Sequence, residues 1–212
     1  MSFFTRLMAR RCGGMAAFYE ELADGLERAG VTAVRARLAG DLTGKVIELG
    51  CGTGLNFAHY RAGAEVTAIE PLDEFRDFAA QRAAVAAARV HVQDGDAQAL
   101  PFADHSFDAA LATLVFCSIP SATRGLQELR RVLRPRAPVR FFEHVRSERR
   151  FGALLQDVSN PLWRWMMDGC NLNRDTVAAI RAAGFSIERV QAHDIRVPGA
   201  PNFPLREIHA RP

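Results

Sequence analysis

Lysine is almost missing from this sequence: of its 27 basic residues only Lys45 is one, and the arginines are scattered over the whole length in runs no longer than two. No basic stripe of the kind that tracks a nucleic-acid backbone exists, so the net charge of +3 reads as codon bias and no nucleic-acid partner is expected. The four cysteines, Cys12, Cys51, Cys117 and Cys170, show no C-x-x-C spacing. That absence argues against a zinc ribbon or a disulfide framework and points to free thiols in a reducing cytosol, with no metal expected. Also lacking is any uncharged apolar window of about 18 residues, which removes a spanning helix. Neither an internal repeat nor a low-complexity linker occurs.

What is present suits one α/β domain: 212 residues, 49% of them hydrophobic, enough for a sizeable core. Residues 1–11 place Phe3, Phe4, Leu7 and Met8 on one helical stripe among arginines. The stripe is too short and interrupted for a signal peptide. It either docks on its own domain beside the pocket, the reading favoured here, or makes weak contact with a membrane surface.

Helical spacing of Leu22, Leu26 and Ala29 predicts a helix over residues 15–39, before Gly40–Gly44 break the pattern. Strand and helix then alternate: Lys45–Leu49, a helix from Gly54, Val66–Ile69, a helix from Asp73, and Arg89–Val92. Phe107–Leu114, a helix carrying Leu126 and Leu129, and Val139–Glu143 continue the series, which argues a parallel sheet covered on both faces. Residues 146–172 read as an inserted cap, followed by a helix over Asp175–Ala183 and late strands near Phe185–Ala192 and Leu205–Ala210.

The chemistry concentrates where the first strand ends, at Glu48-Leu49-Gly50-Cys51-Gly52-Thr53-Gly54. Gly50 and Gly52 allow a tight turn and a close approach by a ligand, while Gly54 stands where a helix should begin and expose unpaired N–H groups. Glu70, sixteen residues beyond Gly54 at the end of the next apolar run, is placed to accept both hydroxyls of a ribose. The spacing is G-x-G-x-G, not the G-x-G-x-x-G of dinucleotide enzymes. Glu48 would repel a pyrophosphate but meet an ammonium group, directly or through water. A ligand with a ribose and a cationic amino acid end fits.

These residues resemble motif I of the class I methyltransferases that use S-adenosylmethionine, with Glu70 matching their ribose acid. The resemblance implies a Rossmann-like, doubly wound seven-stranded fold ending in an antiparallel hairpin, and S-adenosylhomocysteine as product. It also implies a cofactor set of Glu48, Gly50, Cys51, Gly52, Gly54, Asn56, Glu70, Pro71 and Leu72. Asp96 would accept from the adenine amino group and the Ala97 N–H would reach a ring nitrogen; an Asx turn at Asp96 is the bland alternative. Thr113 and Leu114 would contact the methionine end through backbone groups.

Cys117 reads as a buried structural thiol, because no cysteine-hydrolase signature flanks it. His144, at the end of the fifth strand, is a candidate base or a strand cap. Asn160–Arg174 combines aromatics and methionines with Asp168-Gly169-Cys170 and suggests an apolar acceptor pocket. With Thr113–Ser118, Phe142-Glu143-His144 and Asp168–Arg174, the chain is similar to the microsomal alkyl-thiol S-methyltransferases over about residues 45–190. The implied organisation is a helical segment, 1–44, covering the site of a methyltransferase domain, 45–212, with its cap near 146–172. The expected reaction is methylation of a small apolar acceptor, a thiol by preference, with His144 or Asp168 positioning or deprotonating it. A phospholipid amine or a quinone carbon as acceptor, a cofactor-binding module without turnover, and a dinucleotide reductase misread from its glycines stay open.

Overall fold

The computed structural model describes residues 14–167, 169–195 and 204–212. The N-terminal stripe and Asp168 lie outside the described residues. Helix α1 (Met15–Leu26) and helix α2 (Thr32–Gly40) replace the single expected helix. Gly30, at φ 118°, breaks it within a π-type turn over Glu27–Val31, because that backbone conformation cannot continue a right-handed helix.

The core follows as β1 (Gly44–Leu49), β2 (Ala64–Ile69), α3 (Asp73–Val85), β3 (Arg89–Gln93), β4 (Ala109–Thr113), α4 (Ala122–Val132) and β5 (Val139–His144). Helices α5 (Arg150–Met166) and α6 (Thr176–Ala182) and strands β6 (Ser186–His193) and β7 (Leu205–Arg211) complete it. The seven strands lie in the order β3-β2-β1-β4-β5-β7-β6, parallel from β3 to β5, with β7 antiparallel to both neighbours. Alternate residues feed the two faces. Ile47, Leu49 and Phe141 pack with Leu126 and Ile180 on one side, and Val46 and Phe142 pack with Leu38 and Phe57 on the other.

No α-helix follows the glycine turn. Gly54–Gly63 hold only one 3₁₀ turn, Phe57–His59, since Tyr60 is drawn back under β1 to hydrogen-bond Glu48. The expected cap is mainly α5, and its polarity is reversed. Gln156, Asp157 and Asn160 bind Val145, Arg146 and Leu172 of the domain, while Phe151, Leu154, Leu155, Val158, Leu162 and Trp165 are exposed. None of the described residues of 146–172 lines the main cavity, because the apolar face of α5 points to solvent.

Glu207 on β7 ties α2 to the sheet. Its fully buried carboxylate accepts from Arg37 Nη2 at 2.5 Å, His193 Nε2 at 2.9 Å and His209 Nε2 at 2.8 Å. Burial alone would raise its pKa; the hydrogen bonds and charge of Arg37, with help from the two histidines, outweigh burial and pull it down to about 2. A carboxyl depressed in the folded state stabilises above its unfolded pKa of about 4.3 and loses that contribution as pH falls towards the folded value. Glu207→Gln should therefore cost about 1.5 to 3 kcal/mol in urea unfolding at pH 7, and the gap from wild type should close between about pH 4.3 and pH 2.

Candidate active site

The sheet reverses its winding between β1 and β4, and the crevice at their carboxyl ends is where open α/β sheets bind ligands. A cavity of about 460 Å³ occupies it. Its floor is the turn after β1. Gly50, at φ 57°, crosses directly beneath Val115, whose Cγ2 would lie 2.0 Å from an added Cβ. Gly52, at φ 56°, has open space on that side, with Phe75 no nearer than 3.9 Å.

Glu70 closes the floor. Its Oε2 accepts from the Gly52 N–H at 3.0 Å and its Oε1 from the Leu72 N–H at 3.2 Å. The two backbone donors fix the carboxylate plane and leave lone pairs facing the cavity, the arrangement that suits a cis-diol. Burial raises the Glu70 pKa, and the same donors with nearby Arg76 oppose that.

The expected cofactor residues divide. Gly50, Cys51, Gly52, Glu70, Pro71, Leu72, Asp96, Ala97, Thr113 and Leu114 line the cavity; Glu48, Gly54 and Asn56 do not. Glu48 points into the layer below, sharing a face with Val46. Its Oε1 accepts from Asn56 Nδ2 at 2.8 Å and its Oε2 from Tyr60 at 2.7 Å, so each oxygen has a side-chain donor in that layer. Burial pushes its carboxyl up to about 7 against those donors and Arg35. Gly54 does not expose a free helix N-terminus: its N–H donates to Cys51 O at 2.9 Å, and Phe57 packs against it. Asp96 forms the Asx turn, accepting from Gln98 N at 2.8 Å, at the cavity rim.

Arg35 went unnoticed in the sequence. It is 7% exposed and lines the cavity from α2, where Nη1 donates to Asn56 Oδ1 at 2.9 Å and Thr113 Oγ1 at 3.0 Å and Nε to Glu27 at 2.8 Å. Nη2 has no partner among the described residues, so a cation's donor group is available beside Thr113. Helix α1 forms a wall of the cavity, where the sequence places a helical segment over the site. Met15, Tyr19, Leu22 and Leu26 face the glycine turn and supply the apolar lining expected of residues 160–174. Glu20 locks α1 down through Thr53 and Arg82, the latter at 2.6 Å, and Glu74 accepts from Ala16 N at 3.0 Å in the first turn.

On the far side, Leu114, the residue after β4, is held at φ 57°, an uncommon conformation for leucine. Buried Glu143 fixes the next turn: its Oε1 accepts from Val115 N and Phe116 N, both at 3.1 Å. Behind this turn Cys117, His144 and Cys170 converge, with their ligand atoms within 4.8 Å of one another. His144 Nε2 lies 3.1 Å from Cys170 Sγ. Burial disfavours the charged imidazole, but its contact with Cys170 outweighs this and raises the His144 pKa. The hydrogen bond from Cys117, followed after burial by His144 and Trp163, pulls Cys170 down to about 4. His144 does not line the cavity and faces Cys170, so it is not placed as a direct base for a ligand there.

Residues 47–141 match a family model described as a methyltransferase domain. Thiol S-methyltransferase TMT1B of Rattus norvegicus is 40% identical over 146 residues, 66% of this chain and 59% of the relative. Thiol S-methyltransferase TMT1A of Homo sapiens is 38% identical over 151 residues, 69% of this chain and 62% of the relative. The chain thus spans less than two thirds of these curated relatives. Among solved structures, the [4+2]-cyclase SpnF has a TM-score of 0.69 at 22% identity, covering 86% of this chain and 80% of its own. A methyltransferase from Thermotoga maritima that depends on S-adenosylmethionine has a TM-score of 0.66 at 18% identity, covering 91% and 93%. The fold is the seven-stranded class I methyltransferase fold.

The cradle at Gly50 and the open space at Gly52 give separable expectations. Gly50→Ala must displace Val115 and also adopt a left-handed backbone, costing about 2 to 5 kcal/mol in urea unfolding. Gly52→Ala meets only the backbone cost, about 1 to 2 kcal/mol. Equal losses would contradict the close approach at Gly50.

Proposed function

We propose, for a chain that belongs to the class I methyltransferases, transfer of the methyl group of S-adenosylmethionine to the sulfur of a small apolar thiol. The observation that carries the cofactor assignment is Glu70, whose carboxylate is held by Gly52 N and Leu72 N with its remaining lone pairs turned to the cavity. The groups present fit that ligand along its length. Glu70 takes the ribose hydroxyls, Asp96 and the Ala97 N–H take the adenine, and Gly50 lets the chain approach without a side chain. Arg35 and Thr113 receive the methionine carboxylate, which supplies the anion that the buried guanidinium otherwise lacks at Nη2.

The bound sulfonium supplies an already activated methyl group. The protein's work is therefore to align an electron-rich acceptor with that carbon and to keep water out. Helix α1 does both, closing over the glycine turn with Met15, Tyr19 and Leu22. The thiol assignment is supported by the activity for which the two mammalian relatives are named and by the apolar lining, which includes Ile119 and Pro120. No described helix is long and apolar enough to cross a membrane. The outward apolar face of α5, flanked by exposed Arg150 and Arg164, supports resting on an anionic membrane surface, where apolar thiols partition.

Calorimetry with S-adenosylhomocysteine should record losses of about 1.5 to 3 kcal/mol for Glu70→Ala and for Arg35→Ala, each removing charge-assisted hydrogen bonds. Undiminished affinity in either variant refutes that residue's assignment, and binding of NAD in place of S-adenosylhomocysteine refutes the cofactor. Product analysis should give a methyl thioether from an alkyl thiol and no methylated amino-phospholipid or quinone; tight cofactor binding without any product would make the chain a binding module. In flotation with anionic vesicles, Leu155→Glu together with Val158→Glu should abolish co-flotation, and retention by that variant would exclude α5 as the contact.

A further inference from the structure

Cys117, His144 and Cys170 come from three different segments: the loop after β4, the last residue of β5 and the turn after α5. Sequence spacing gives no hint of a cluster, yet the two sulfurs and a ring nitrogen lie within 4.8 Å of one another. A tetrahedral ion with bonds of about 2.3 Å to sulfur and 2.0 Å to nitrogen needs ligand atoms about 3.5 to 3.8 Å apart. The observed spread, at most 4.8 Å with His144 Nε2 at 3.1 Å from Cys170 Sγ, brackets that geometry. The backbone is already fixed for it. Asn171 donates to Cys117 O through both its N–H and its Nδ2, each at 2.9 Å, which holds the Cys170 turn against the Cys117 loop. Glu143 fixes the same loop from the other side.

We propose that Cys117, His144 and Cys170 bind one divalent ion of the zinc class, and that its fourth coordination position takes the acceptor thiol as a thiolate. The donor set is soft and contains no carboxylate, which selects zinc over magnesium or calcium. Among the described residues the cluster supplies three protein ligands, the number found in catalytic zinc sites with one open position, whereas structural sites are closed by four. Two thiolates and a neutral imidazole around a dication make a centre of zero net charge, tolerable behind β4. The cluster lies behind the cavity wall, with none of its three residues in the lining, but next to residues that are. Ser118 lines the cavity with its Oγ 3.6 Å from Cys117 Sγ, and Cys117 Sγ is 3.5 Å from the carbonyl of Leu114, another lining residue. Cys170 is the partly exposed ligand and gives the ion its way in.

The acceptor role rests on the thiol reading above. The incoming thiol loses its proton to solvent as its sulfur binds the ion. A sulfur lone pair then forms the new bond to the methyl carbon, and the sulfonium carbon–sulfur bond breaks with its electron pair returning to the sulfonium sulfur. Anion and cation become two neutral thioethers. The methylated product is a poor ligand and leaves.

Cobalt(II) reports the site without turnover. The full chain, stripped with a chelator, should take up one cobalt ion, develop thiolate-to-metal charge-transfer bands with tetrahedral d–d absorption, and release the cobalt to zinc. Cys117→Ser, His144→Asn and Cys170→Ser should each weaken uptake about 100-fold or more, while Cys12→Ser should match wild type. Adding a short alkyl thiol, with no S-adenosylmethionine present, should shift the bands. Sub-stoichiometric uptake by wild type, or a Cys117–Cys170 disulfide formed in place of metal binding, overturns the site irrespective of how the variants fold. Stoichiometric uptake with no response to thiol overturns the acceptor role. Failure of thiol methylation in product analysis, with the cobalt spectra intact, instead strikes the proposed reaction.

Discussion

Two ionisable side chains, Arg35 and Glu48, are buried on either side of Asn56, and apart from the local Arg35–Glu27 pair their hydrogen bonds form only where three separate parts of the chain meet. Asn56 accepts from Arg35 and donates to Glu48, Thr113 Oγ1 joins them from the end of β4, and Tyr60 caps the second oxygen of Glu48. An unpaired charge in that position would cost several kcal/mol, so the network enforces the meeting of α2, the glycine turn and β4. The cavity is the space left above it. This is also why α1 is a wall of the site: once Arg35 is anchored, the turn at Gly30 sends α1 back across the glycine loop, where Glu20 and Arg82 hold it.

The parts of the site that could be read from sequence are the local ones. Gly50, Gly52, Glu70, Asp96 and Ala97 lie at the ends of strands recognisable from their apolar runs, and the strand-to-loop logic of an open α/β sheet sends them to one edge. Glu48 was legible too, but its direction was misjudged: two residues from Val46 on the same strand, it must share that residue's buried face. The missing helix after Gly54 had a signal in Tyr60, an aromatic hydroxyl within reach of a buried carboxylate. Arg35 had none. On a helix with arginines at positions 35 and 37, only packing decides that the first is buried at the cavity and the second bound to Glu207.

The same distinction separates the sheet from its additions. Alternating apolar runs foretold every strand, and the antiparallel β7 came from family resemblance. Residues 146–172 look from composition like a pocket wall, and the fold instead spends their polar side on the domain and leaves the apolar stripe outward. Cys117, His144 and Cys170 were invisible as a group because metal-like spacing rules apply within a segment, while these three are joined by the ends of two strands and a helix. What the chain presents at one edge is a cofactor cradle with a cluster of two cysteines and a histidine behind its wall.

In the binding mode proposed above, the cavity over the Arg35–Asn56–Glu48 network holds S-adenosylmethionine in one orientation. A crystal structure of the complex with S-adenosylhomocysteine tests it most directly. The expected complex has both ribose hydroxyls within hydrogen-bonding distance of the Glu70 carboxylate and the amino acid carboxylate against Arg35 and Thr113, with the thioether sulfur towards α1 and Ser118. A ligand whose ribose lies away from Glu70, or whose amino acid end lies at Asp96, would contradict it.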